Sequence, residues 1–111
     1  MTKIDRGVRY PVSFQLNGES VQGYAENRLL LSDFLRHEVG ATGTHVGCEH
    51  GICGACTILV DGLPVRSCLM LAVQVEGCDV QTIEGLARAD GSFNELQSAF
   101  NHRFAAQCGY C

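Results

Sequence analysis

The chain is 111 residues long, with twelve acidic against eight basic side chains, a net charge of −4 and seven cysteines. This is about one domain's worth of sequence, and with Lys3 as its sole lysine and no run of arginines it offers no phosphate-binding face, which excludes nucleic acid as a partner. No stretch approaches the roughly 18 uninterrupted apolar residues of a membrane span, and the start Met1-Thr-Lys-Ile-Asp-Arg-Gly7 lacks the apolar segment of an export signal, so the expectation is a cytoplasmic protein with no membrane partner.

In chain order, Val8 to Leu16 alternates apolar and polar residues, Asn17-Gly18 supplies the positive-φ pair of a tight turn, and Val21 to Ala25 continues, which predicts a hairpin. Leu30, Leu31, Phe34, Leu35 and Val39 then recur at helical spacing, with Gly40 as a stop signal, predicting a helix packed on that sheet. A glycine-punctuated loop follows. Thr57 to Val60 is β-branched and apolar, Asp61-Gly62 is another turn signal, and Pro64 to Ser67 brings the chain back, giving a second hairpin. Leu69 to Val73 is expected to form a short helical turn and Asp79 to Thr82 a last strand, which completes an α+β domain over 1–82.

The cysteines carry the chemistry. Cys48, Cys53, Cys56 and Cys68 are separated by four, two and eleven residues, the plant-type [2Fe–2S] ligand pattern. Three of them lie in Gly47-Cys-Glu-His-Gly-Ile-Cys-Gly-Ala-Cys56, where thiolates so close in sequence converge only if the backbone curls sharply. Five of the thirteen glycines, Gly40, Gly43, Gly47, Gly51 and Gly54, allow that curl and let bare N–H groups approach the cluster sulfurs. The second hairpin carries a ligand at each end, Cys56 and Cys68. Cys48-Glu-His50 resembles half of a Rieske site, but no second Cys-x-His follows. Zinc on Cys53-x-x-Cys56 and Cys108-x-x-Cys111 is a further alternative, which strands Cys48 and Cys68 and predicts a colourless protein. An odd cysteine count without an export signal favours metal ligation over disulfides.

From residue 83 the character changes. Ser92-Phe-Asn-Glu95 reads as a capping box, and Phe93, Leu96, Phe100 and Phe104 then share one face of a helix that has nothing of its own to bury against. The sequence reaches Gln107-Cys-Gly-Tyr-Cys111, where two thiols are half of a four-thiolate site. A thioredoxin-like reading of that Cys-x-x-Cys fails on context, because the dithiol motif belongs to a βαβ setting.

The loop from Gly47 to Cys56, Ser67-Cys68 and Gln107-Cys-Gly-Tyr-Cys111 resemble the iron–sulfur small subunit of the xanthine dehydrogenase family of molybdenum hydroxylases, over essentially the whole chain. The resemblance implies a β-grasp ferredoxin-like domain (1–82) with one [2Fe–2S] cluster, followed by the beginning of a helical, four-helix-bundle domain (83–111) with another. It implies that Cys48, Cys53, Cys56 and Cys68 hold the cluster nearer FAD, that Cys108 and Cys111 hold the one nearer molybdenum, and that Gln107 contacts molybdopterin. Molybdopterin and FAD are expected in a large and a medium partner subunit, making a heterotrimer in which this chain transfers electrons and performs no bond chemistry. The family takes the other two ligands of its second cluster from a later segment, so a truncation of on the order of 40 to 60 residues is expected. The alternative is a free-standing plant-type ferredoxin, against which the apolar helix and the Cys108 pair argue.

The remaining residues are read plainly. Cys78 is expected to be a small, partly buried thiol. Phe14, Phe34, Phe93, Phe100 and Phe104 are expected in packing, Tyr110 on the pterin side, and His45, His50 and His102 as ordinary polar residues, with Arg28, Arg36, Glu76 and Arg88 on the solvated surface.

Overall fold

The computed structural model describes residues 7–108. Strand β1 (Arg9–Leu16) turns through Asn17 and Gly18, both at positive φ, into β2 (Glu19–Glu26), the hairpin the alternation predicts. β3 (Thr57–Val60) and β4 (Leu63–Arg66) form the second hairpin around Asp61 and Gly62, again both at positive φ. β5 (Asp79–Gln81) inserts between the hairpins, parallel to β1 and antiparallel to β3. The result is one five-stranded mixed sheet in the order β2-β1-β5-β3-β4.

The predicted helix is present but wound differently. Leu31–Asp33 (α1) is α-helical and continues as a π-helical segment over Phe34–Val39, closed by Gly40 at φ 83°. The wider winding delivers Leu31, Phe34 and Leu35 to the core together, all fully buried. Phe34 meets Phe14 at a ring-centroid distance of 6.0 Å. Val12, Phe14, Leu16, Ile58, Val60 and Val80 come up from the sheet, and Ala72 and Val75 close the side. At about 1.5–3 kcal/mol for each large apolar side chain buried, this cluster supplies the main stabilisation.

Two expectations shift. The turn placed over Leu69 to Val73 is two 3₁₀ turns, Ser67–Leu69 and Ala72–Val75, separated by extended Met70 and Leu71, because Leu71 forms a β-bridge with Leu30. The C-terminal helix α2 (Glu95–Arg103) starts from Asn94, whose side chain accepts from the Gln97 amide at 2.8 Å while Gln97 reciprocates. Ser92 bonds Asp90 instead of capping the helix.

Helix α2 buries no residue. Phe93, Phe100 and Phe104 are exposed, so the core role expected for them does not hold among the described residues, whereas Phe14 and Phe34 fill it. The standing-off helix stretches the molecule to 50 × 30 × 22 Å and a radius of gyration of 15.0 Å, against roughly 13 Å for a compact chain of this length.

Candidate metal centre

The loop between the helical segment and β3 is held at its base before any cysteine appears. Arg36 Nη1 donates to the carbonyls of Thr42 and Thr44 at 2.6 and 2.8 Å, so this arginine, expected on the solvated surface, fixes the loop entrance. The Gly43 amide donates to Glu84 Oε2 at 2.8 Å, and Glu84 Oε1 accepts from the Thr82 hydroxyl at 2.7 Å. Thr82 is itself clasped by Asn17, through Nδ2 to Oγ1 at 2.9 Å and Oδ1 to the Thr82 amide at 2.8 Å. A Cβ on Gly43 would come within 2.8 Å of the Glu84 carboxyl carbon, so the loop base approaches as closely as glycine permits. Burial acts to raise the Glu84 pKa, but the bonds from Thr82 and Gly43 outweigh it and hold the carboxyl below its ordinary value.

Beyond this base the backbone folds around the sulfurs. Gly51 and Gly54 adopt positive φ of 80° and 75° and Glu49 joins them at 58°, whereas Gly47 is not one of the left-handed positions. Cys48 Sγ accepts from the amides of His50 and Cys53 at 3.2 and 3.4 Å, and Cys53 Sγ from the Ala55 amide at 3.4 Å. Bonds from the Cys53, His50 and Ile52 amides draw the Cys48 thiol down to about 6. A loop that stabilises thiolate in this way is built for a cationic centre. His50 contributes its amide, with an exposed ring.

Cys56 and Cys68 face each other across the second hairpin, 2% and 3% exposed. The Ser67 amide and hydroxyl both bond the Cys56 carbonyl, at 3.3 and 2.7 Å, which clamps the hairpin where the two ligands sit. Burial works to raise both thiols; at Cys56 bonds from the Cys68 amide and thiol and from Ser67 reverse it, while Cys68 stays raised by burial and its neighbour. The opposite directions are those of two thiols sharing one proton.

The four predicted ligands therefore come together as two pairs, Cys48 with Cys53 and Cys56 with Cys68, and Cys48 also acts electrostatically on Cys68. Among the described residues no three His, Cys, Asp or Glu side chains close on a point, as ligands of a single ion would. Two pairs of thiols, one soft ligand pair for each of two irons, fit a diiron core better than a zinc ion. None of the four is in a disulfide.

The other predicted site residues lie elsewhere. Gln107 and Cys108 are exposed beyond α2, and Cys108 is a free thiol. Cys111 and Tyr110 lie outside the described residues. Cys78 is half-buried against the core, with its thiol raised by burial and by Asp61. An apolar groove of about 730 Å³ runs between Ile83, Leu86 and one face of α2. No helix among the described residues is long and apolar enough to cross a membrane.

Comparison with known proteins agrees with this geometry. Residues 14–97 match the 2Fe-2S iron-sulfur cluster binding domain, and the chain belongs to that family. It is 55% identical over 100 residues to caffeine dehydrogenase subunit gamma of Pseudomonas sp. (strain CBB1), covering 90% of this chain and 59% of the relative. It is 44% identical to the nicotine 6-hydroxylase small subunit of Paenarthrobacter nicotinovorans, over the whole chain and 66% of the relative. Among solved structures, quinoline 2-oxidoreductase from Pseudomonas putida 86 superposes with a TM-score of 0.84 at 50% identity, covering 93% of this chain and 63% of the other. The relatives are small iron–sulfur subunits of xanthine-dehydrogenase-family molybdenum hydroxylases, as the motifs imply, and not free-standing ferredoxins. The chain spans about three fifths to two thirds of the length of these relatives.

Proposed function

We propose that this chain is the electron-transfer iron–sulfur component of a molybdenum hydroxylase working in the cytoplasm. Cys48, Cys53, Cys56 and Cys68 ligate a first [2Fe–2S] cluster in the loop shaped by Gly47, Gly51 and Gly54. Cys108 and Cys111 belong to the ligand set of a second cluster, in a helical domain that starts near residue 83, and Gln107 contacts molybdopterin. A large subunit holds the molybdopterin and a medium subunit the FAD, and electrons run from the first to the second through the two clusters.

A bound [2Fe–2S] cluster supplies one-electron uptake and release. The chain's own part is to hold it: two buried thiols on a clamped hairpin, two more on a loop whose amides favour thiolate, and a packed core beneath both. Substrate choice in this reading belongs to the molybdenum subunit, consistent with relatives named for compounds as different as caffeine, nicotine and aldehydes.

The observation that carries the reading is the convergence of the four thiols in two pairs at the predicted spacing. The test is Cys53→Ser in the native protein with whatever subunits co-purify. The expected result is loss of about half of the cluster iron and of substrate-driven flavin reduction; full turnover with the natural acceptor would refute the relay. A colourless, zinc-containing wild type would refute the cluster itself.

A further inference from the structure

Arg66 stands at the last position of β4, directly opposite Thr57 and two residues before Cys68. Its Nη1 donates to Thr57 Oγ1 at 2.8 Å, and that hydroxyl donates on to the Gly54 carbonyl at 2.7 Å. The guanidinium thereby lies over Gly54, between Cys53 and Cys56: its Cζ and Nη2 are 3.8 Å from where a Cβ on Gly54 would stand. Its Nε is shut off from solvent with no hydrogen-bond partner. Among the described residues, the ion pair formed by an arginine joins Arg28 to Glu26, and no carboxylate neutralises Arg66.

A fixed, uncompensated cation is thus locked to the loop segment that carries two of the four thiols. Four thiolates make a bound cluster anionic, and an added electron makes it more so, so a nearby cation stabilises the reduced form more than the oxidised one. Arginine suits this position because it is always charged and its planar fork can serve Thr57 with one nitrogen while keeping others toward the loop.

We propose that Arg66 is a potential-setting residue for the cluster held by Cys48, Cys53, Cys56 and Cys68, raising its reduction potential through a guanidinium pinned over Gly54 by Thr57. The proposal rests on the ligand assignment made above. It adds a positioning network, Arg66 to Thr57 to Gly54, whose purpose is where the charge sits.

The test is a potentiometric titration of the native protein, with subunits that co-purify, in wild type, Arg66→Gln and Arg66→Lys. The signal of this cluster is identified by its loss in Cys53→Ser. Arg66→Gln is expected to lower the reduced-to-oxidised ratio at the wild-type midpoint about tenfold, a fall of ~59 mV for a one-electron couple, with iron content unchanged. Arg66→Lys keeps the charge and is expected to recover more than half of that shift. An unshifted or raised potential in Arg66→Gln, equal shifts in both variants, or loss of iron from either overturns the proposal while leaving the ligand assignment intact; an iron-free wild type overturns both.

Discussion

Residues 7–82 and residues 83–108 obey opposite rules. The first region buries Phe34, Leu31, Leu35, Val12, Val75 and Val80 to 1% exposure or less around a single sheet. In the second, Ile83, Leu86, Phe93, Leu96 and Phe100 are 46–58% exposed and Phe104 is 88% exposed. Both are rich in apolar residues, so composition does not separate them. The difference is closure: strands exchange backbone hydrogen bonds and stack their faces on one helical segment, whereas one isolated nine-residue helix has no second face to pack on. The first region is a folding unit with a metal loop on top, and the second is a surface awaiting a partner.

Substitutions can break this contrast in graded steps. Phe34→Ala removes the ring at the centre of the first region and is expected to destabilise it by about 3–5 kcal/mol in chemical denaturation, enough to unfold it under mild conditions. Gly51→Ala is smaller: the φ of 80° is left-handed and the new Cβ would press on Leu69 Cδ1 at 2.6 Å, but Leu69 is exposed and can move. The strain amounts to about 1–2 kcal/mol, read as slower cluster reconstitution with little change in the far-ultraviolet spectrum. Glu84→Gln tests the join between the regions. The folded carboxyl titrates below its usual 4.5, so its stabilisation is present above that pH and is lost as pH falls through the lower folded value. Denaturation midpoints compared at pH 6 and pH 4 should fall more steeply in wild type than in Glu84→Gln. Phe100→Ala is expected to change stability by no more than about 0.5 kcal/mol, since an exposed side chain has little to lose; an effect above 2 kcal/mol would show that the second region has a core of its own.

What was legible in the sequence follows the same division. Local signals worked where chemistry is local: Asn17-Gly18 and Asp61-Gly62 turn as their positive-φ preference demands, and the spacing of Cys48, Cys53, Cys56 and Cys68 anticipates four thiols that the fold does gather. Periodicity located the helix over residues 31–39 but not its π winding, because apolar spacing fixes which side chains face inward and not the bond pattern beneath them. The capping signal was misplaced by two residues: Ser92-x-x-Glu95 and Asn94-x-x-Gln97 are both plausible boxes, and packing of Gln97 Nε2 toward the Ile83 carbonyl accompanies the second. Glu84 gave no signal, since its partner Gly43 is 41 residues away and carries no side chain. Arg66 was equally silent, an unremarkable strand residue until the hairpin sets it against Thr57.

The Glu84 carboxylate stands one residue into the second region, yet it grips the amide of Gly43 at the root of the metal loop. Any load borne by the outlying helix, such as the tug of a neighbouring protein seated in its apolar groove, is transmitted inward along this short tether. Through Thr82 it is shared with Asn17 at the tip of the first hairpin. The joint thus behaves mechanically as a three-legged anchor, spreading stress from the flank across strand ends before it reaches the thiols.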